Sequence, residues 1–380
     1  MKSKIKIGIL TLSASDNCGS LLQSFALQEY IKNEFNADVK IINLVTKQSN
    51  ELYSLLPSKF YRHPKKLLFG LKYYIPNKKQ RNDYAKYRKE KLLLTSKVYQ
   101  NKNDLEQLDS DYAFDIIITG SDQIWNINMP DFSDCFFLPI KTKARKIAYA
   151  ASLGGMKNIP KNLLTEVKEW INDYKMISVR EPSGLAPLIP LTNKQIPILC
   201  DPTMLFSHKY WLQIAGEKKI NCSYIFFYSW AYSDIAMNKI VEKFAYEKKL
   251  PVYVINSSKW YKYRPQKFNF ILYSTSGPDT FLNLMAHAKY VFVQSFHGVV
   301  FANLLRKRFF FLNEQTDQVD FRAWNLLKQL HEESQIIHNY LDILKTSNTN
   351  LNYQSKELNE LIFRSKEYLK LAISGSKDNG

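Results

Sequence analysis

The sequence predicts an α/β protein built from two doubly wound domains that face each other across a cleft. Short apolar, β-branched runs alternate with stretches of helical periodicity along the chain. Polar clusters follow those runs where the carboxyl ends of the strands fall, the edge at which open α/β sheets bind ligands. A segment holding Pro187, Pro190, Pro197 and Pro202 divides one alternating set from the next and reads as an inter-domain crossing.

In the first set, strands are expected at 5–11, 39–44, 114–119, 146–150 and 176–179, and helices at 20–33 and 163–174. Within 20–33, Leu22, Phe25, Ala26 and Tyr30 recur at helical spacing. Residues 50–100 read as a basic, mostly helical insertion interrupted by Pro57, Pro64 and Pro76. In the second set, strands at 224–228, 252–255, 290–293 and 309–312 alternate with helices at 235–248, 280–288 and 299–305. Amphipathic helices at 321–330 and 358–371 follow, the last as a C-terminal clasp before a frayed Lys-Asp-Asn-Gly tail. The expected units are therefore 1–200, 201–345 and 346–380.

Composition narrows the class. A hydrophobic fraction of 45% over 380 residues supports packed cores rather than disorder. Cys18, Cys135, Cys200 and Cys222 form no Cys-x-x-Cys pair, which argues against a disulfide framework and fits a reducing compartment. The N-terminal apolar run is too short for a signal peptide and is broken by Lys6, and no stretch approaches a membrane span. A cytoplasmic protein is expected, peripheral at most to the inner face of a membrane. The net charge of +18 is concentrated: from Lys59 to Lys91 there are twelve Lys or Arg against Asp83 and Glu90. This segment is either a solvated helical face or a surface for anionic lipid. Nucleic acid is not expected, because no recognition motif accompanies the charge.

His297 is the most informative residue. It sits in Ser295-Phe296-His297-Gly298, where the 290–293 strand hands over to a helix. Similar clusters follow other strands: Asp16-Asn17-Cys18-Gly19-Ser20, Gly120-Ser121-Asp122-Gln123-Ile124-Trp125-Asn126, Ala151-Ser152-Leu153-Gly154 and Arg180-Glu181. Gly19 opens a helix whose backbone N–H groups are placed to hold an anion. Asp109-Ser110-Asp111 has the spacing of a metal motif but precedes a strand in an acidic loop, which favours a structural role. The remaining histidines cluster with no carboxylate or cysteine, so no metal site is expected.

Six stretches together resemble the polysaccharide pyruvyl transferase family: Asn17–Leu27, Gly120–Asn126, Ala148–Gly154, Ser178–Glu181, Asp201-Pro202-Thr203 and Ser295–Gly298. The likeness covers about residues 5–330. It implies a GT-B-like pair of Rossmann-like domains and transfer of a pyruvyl group from phosphoenolpyruvate to a glycan, with no further cofactor. It also implies a glycan or lipid-linked glycan acceptor. The chain departs from the better-known members at Ser295, where they carry Arg, and at Asn17-Cys18-Gly19, where they carry Gly-Asp-Glu. Asp16 and Arg322 are the expected substitutes. The resemblance and the residue chemistry give His297 and Asp16 catalytic roles, with Arg180, Ser295, Gly298 and Arg322 on the donor. Asn17, Gly19, Ser121, Asp122, Gln123 and Trp125 are expected to line the acceptor side, with Trp125 stacked on a sugar. Two rival readings share these features: a GT-B glycosyltransferase using a nucleotide sugar, and a non-catalytic membrane-associated scaffold in glycan assembly.

Overall fold

Strands dominated by Ile, Val and Phe assemble two parallel six-stranded sheets in a computed structural model that describes residues 4–229, 232–255, 257–313, 321–346 and 355–375. The first sheet comprises β1 (Lys6–Leu10), β2 (Asp38–Leu44), β3 (Leu94–Tyr99), β4 (Ile116–Thr119), β5 (Arg145–Ala151) and β6 (Met176–Val179), in the order β3-β2-β1-β4-β5-β6. The second comprises β7 (Ile225–Tyr228), β8 (Val252–Val254), β9 (Phe270–Leu272), β10 (Tyr290–Val293), β11 (Phe309–Leu312) and β12 (Ile336–Ile337), in the order β12-β11-β10-β7-β8-β9. Both orders trace the same doubly wound path, which reverses between β1 and β4 in one sheet and between β7 and β10 in the other.

The central strands are buried, with only Tyr290 at the start of β10 half-buried, as parallel strands covered on both faces must be. Register pairs Ile7 with Val39 on one side and Ile116 on the other, and Val291 with Phe226 and Phe309. One apolar cluster runs through both domains. It joins Leu22 and Phe25 of the Cys18–Phe35 helix to Phe281 and Met285 of the Gly277–His287 helix.

The structure adds β3, β9 and β12 to the expected strands; each is the outermost strand at an edge of its sheet. The insertion is helical but interrupted, and its pieces start at or beside the prolines: Pro57 precedes the Ser58–Arg62 turn. Pro64 opens the Pro64–Lys72 helix, and Pro76 lies in the first turn of the Tyr74–Lys91 helix. A first turn has no partner for its N–H groups, so proline is tolerated there. The expected frayed tail at 377–380 lies outside the described residues.

The Lys356–Ser374 helix returns to the first sheet. Tyr368 Oη donates to the Ala148 carbonyl at 2.9 Å, and Ser365 Oγ accepts from the Cys200 N–H at 2.8 Å. The helix's own Leu361, Leu369 and Ile373 form its buried face. Leu369→Ala should therefore leave a cavity costing about 2–5 kcal/mol, read as a lower urea midpoint at constant slope. An unchanged midpoint would mean that this helix does not stabilise the domain.

Candidate active site

The two reversal points meet. A polar cavity of about 80 Å³ lies between the carboxyl ends of the sheets, lined by Leu12, Ser15, Asn17 and Ser20 after β1 and by Asp122 and Gln123 after β4. The second domain supplies Tyr228 at the end of β7, Ser295, Phe296 and His297 after β10, and Arg322. Tyr53, Met129 and Asp131 complete the lining.

Side-chain caps set the two helices that start here. Asn17 Oδ1 accepts from the N–H groups of Gly19 and Ser20, opening the Cys18–Phe35 helix. Ser295 Oγ accepts from the Gly298 N–H at 3.1 Å, opening the Phe296–Leu304 helix. Both are ordinary N-caps. They occupy N–H groups that the sequence offered to an anion, but they leave the positive ends of both helix dipoles at the cavity.

His297 is held from both domains. Its Nε2 lies 3.2 Å from Asp201 Oδ2, and Asp201 Oδ1 accepts from the Thr203 hydroxyl and N–H. A Cβ on Gly19 would overlap the imidazole at Nδ1, so glycine is required there by close approach rather than by backbone angle. At Gly120, φ is +127° and a Cβ would strike the Tyr149 carbonyl.

Behind the cavity lies a buried ionic knot. Arg180 places NH1 2.9 Å from Asp201, NH2 3.4 Å from Asp122 and Nε 3.5 Å from Glu181, with its guanidinium 4.1 Å from the centre of the Phe296 ring. Burial favours the neutral form of each group, and mutual attraction overrides it. Against burial, Arg180, His297 and Arg322 hold the Asp122 carboxyl below the usual range. Against burial, His297 and Arg180 hold Asp201 well below that range. Ser20 donates to Asp122 at 2.6 Å and Ser152 to Glu181 at 2.6 Å. Arg322 reaches to 3.7 Å from Asp122. With the Gln123 carboxamide oxygen turned toward it, Arg322 also donates to that oxygen at 3.0 and 3.2 Å.

Asp131 differs from these carboxylates. It is 3% exposed, accepts from Tyr53 Oη at 2.9 Å through Oδ2, and its Oδ1 has no partner among the described residues. Burial raises its carboxyl, and the Tyr53 hydrogen bond only partly offsets this. Tyr53 Oη also lies 2.9 Å from Ser15 Oγ.

The structure brings His297, Ser295, Arg322, Asn17, Asp122 and Gln123 to the cavity and keeps the other expected residues from it. Trp125 is fully buried, stacked on Phe137 with its Nε1 donating to the Phe136 carbonyl, so no sugar reaches its ring. Arg180 is engaged by carboxylates rather than open to a donor anion. Asp16 is engaged by Arg81 at 2.7 Å and Arg88 at 2.8 Å, and acts as an anchor for the insertion. Ser121 Oγ donates to the Ala150 carbonyl and is wholly buried. Gly19 and Gly298 act through space and capping. In the metal-like motif, Asp109 accepts from Thr142 and Lys143, and Asp111 from Lys97 and Tyr99. Asp201 was visible as a motif residue without a role. Tyr53 and Asp131 stand in no motif; Asp131 follows Met129-Pro130 in a loop without periodicity.

Comparisons with known proteins agree with this architecture. The family model described as polysaccharide pyruvyl transferase matches residues 17–316. No curated protein matches the sequence. Among solved structures, the chain is similar to a glycosyltransferase from Rickettsia africae, with TM-score 0.55, 10% identity, and coverage of 99% of this chain and 100% of that one. It is also similar to a putative UDP-N-acetylglucosamine 2-epimerase from Listeria monocytogenes, with TM-score 0.57, 9% identity, and coverage of 100% and 98%. A UDP-GlcNAc 2-epimerase from Methanocaldococcus jannaschii gives TM-score 0.56 and 12% identity over 96% of this chain and 100% of that one. At these identities the likeness establishes the shared fold of two Rossmann-like domains.

Removing the cation of the knot leaves buried carboxylates unpaired. Arg180→Ala should cost about 3–5 kcal/mol in urea unfolding; wild-type stability in the variant would return Arg180 to a ligand-binding role. The acid side has a definite sign. Asp122 and Asp201 are depressed in the folded state, so their contribution is complete above the unfolded carboxylate value of about 4 and is lost as pH falls through the lower folded values.

Proposed function

Because the chain belongs to the polysaccharide pyruvyl transferase family, we propose that it moves a pyruvyl group from phosphoenolpyruvate to a sugar of a surface polysaccharide or its free or lipid-linked precursor. The products are a pyruvate ketal and phosphate. The observation that carries this reading is His297 at the cavity between the domains, with Nε2 committed to Asp201 and the ring seated closely on Gly19. A nucleotide-sugar donor is the second reading; the cavity of about 80 Å³ takes only the carboxylate- or phosphate-sized end of either donor.

In the proposed reaction an acceptor hydroxyl adds to C2 of the enol while C3 takes up a proton and becomes the methyl group. A second hydroxyl then attacks C2, the bond from C2 to the phosphate oxygen breaks, and phosphate leaves with the bonding pair and takes up the hydroxyl proton. His297 supplies the proton to C3, and Asp201 stabilises the imidazolium and fixes the ring. Asp131, with an unpartnered oxygen and a raised carboxyl, accepts the proton of the first hydroxyl. Arg322 and the two helix N-termini face the donor's negative charge.

The test is incubation of the purified protein with phosphoenolpyruvate and a glycan panel, reading phosphate release and the pyruvyl mass gain. A parallel panel of nucleotide sugars covers the rival. Consumption of a nucleotide sugar, with no phosphate released from phosphoenolpyruvate on any acceptor, would overturn the proposal. His297→Ala should fold normally and lower turnover by about 10²-fold or more; near-normal turnover would remove it from the mechanism.

Asp131→Asn separates stability from activity. The variant keeps an acceptor for Tyr53 but need not ionise in a buried site. It should lose turnover by about 10²-fold and melt slightly higher than wild type at neutral pH. The raised carboxyl favours folding only in acid, so the difference in melting temperature should vanish below about pH 4. A variant that melts lower and turns over normally would show Asp131 to be structural.

A further inference from the structure

The insertion after β2 presents two unlike faces. Its inner face is packed: Gly70 is buried against Leu56 and Phe60, Tyr84 Oη meets Cys18 Sγ at 3.3 Å, and Arg81 and Arg88 hold Asp16. Its outer face exposes apolar side chains that a solvated helix would replace with polar ones. Tyr61 is 66% exposed, Leu68 67%, Leu71 54% and Ile75 80%. Leu68 and Leu71 stand three apart on the Pro64–Lys72 helix, and so share a side of it.

Around these residues Arg62, Lys65, Lys66, Lys72, Lys78 and Lys79 are all exposed. The nearby acids are turned to other partners: Glu51 accepts from Ser58, Asp83 from the Ser276 N–H, and Glu90 pairs with Lys86. The basic face continues into the second domain. Tyr73 stacks on Tyr261 at 5.1 Å and 6°, beside the exposed Lys262 and Arg264. Among the described residues no helix is long and apolar enough to cross a membrane.

Apolar side chains standing among cations are the pattern of an element that lies on a membrane rather than through it. We propose that this face seats on an anionic lipid bilayer, with Leu68, Leu71 and Ile75 entering the headgroup layer and the surrounding lysines meeting acidic lipid. The fit is one of charge and apolarity together, and it does not depend on the reaction catalysed.

The experiment is co-sedimentation of the full chain with phosphatidylcholine vesicles, with and without phosphatidylglycerol. The protein should bind the anionic vesicles and not the neutral ones, and most of it should be released as salt rises from about 0.1 M to about 0.5 M. Replacing Lys65, Lys66, Lys78 and Lys79 with Gln should weaken binding by about fivefold for each charge removed. Leu68→Gln with Ile75→Gln leaves the charge unchanged and should weaken binding by about tenfold. Equal binding to neutral and anionic vesicles, or none to either, overturns the proposal without need of any variant. Binding that falls with the lysines but not with the apolar pair also overturns it, and marks a general polyanion surface, nucleic acid included.

Discussion

Arg180 carries a positive charge into a place where water does not reach, and the architecture around the cavity follows from what that charge requires. A buried guanidinium persists only if carboxylates surround it. Asp122 arrives from the loop after β4, Glu181 is its own neighbour after β6, and Asp201 comes from the crossing between the domains. Asp201 then reaches the second domain by binding His297. The knot thus ties two loops of the first sheet to the crossing, and through it to the imidazole at the cavity. Its net negative charge explains why one more cation, Arg322, is drawn in beside Asp122.

The knot also separates groups of like chemistry into different states. Asp122 and Asp201 are buried beside cations and stay ionised. Asp131 is buried beside a tyrosine hydroxyl and is pushed the other way. Carboxyls driven apart in this fashion, around one imidazole, are what proton transfer in both directions asks of a site. Gly19 adds a purely spatial condition, since any side chain there would occupy the ground of the His297 ring.

The sequence made the central strands legible because they are buried on both faces. Runs such as Ile116–Thr119 and Tyr290–Val293 have no polar alternation to confuse them. Strands β3, β9 and β12 were silent for the opposite reason. β3 (Leu-Thr-Ser-Lys-Val-Tyr) is interrupted by three polar residues in a row along an edge, and β9 and β12 have three and two residues. The polar loops after strands could be found by position, but their roles could not. Trp125 and Arg180 look like ligand-binding residues in sequence, and only packing shows that one is core and the other is surrounded by carboxylates. Tyr53 and Asp131 are far apart in the chain, and nothing local to either predicts their hydrogen bond.

Asp16 illustrates how a site residue by position becomes something else by charge. It follows β1, where a catalytic carboxylate was expected, but the insertion brings Arg81 and Arg88 to both of its oxygens. Arg88 also donates to the Ser15 carbonyl, and Arg81 to that of Ser54. Ser15 Oγ in turn meets Tyr53, which binds Asp131. The insertion is therefore fastened to the same short loop that lines the cavity, one residue from the Asn17 cap. A carboxylate bridged by two guanidinium groups has both oxygens occupied and neither turned to a substrate hydroxyl. In this chain the charge at position 16 serves to hold the basic helix against the mouth of the cavity, whereas Asp131 Oδ1 has no hydrogen-bond partner among the described residues.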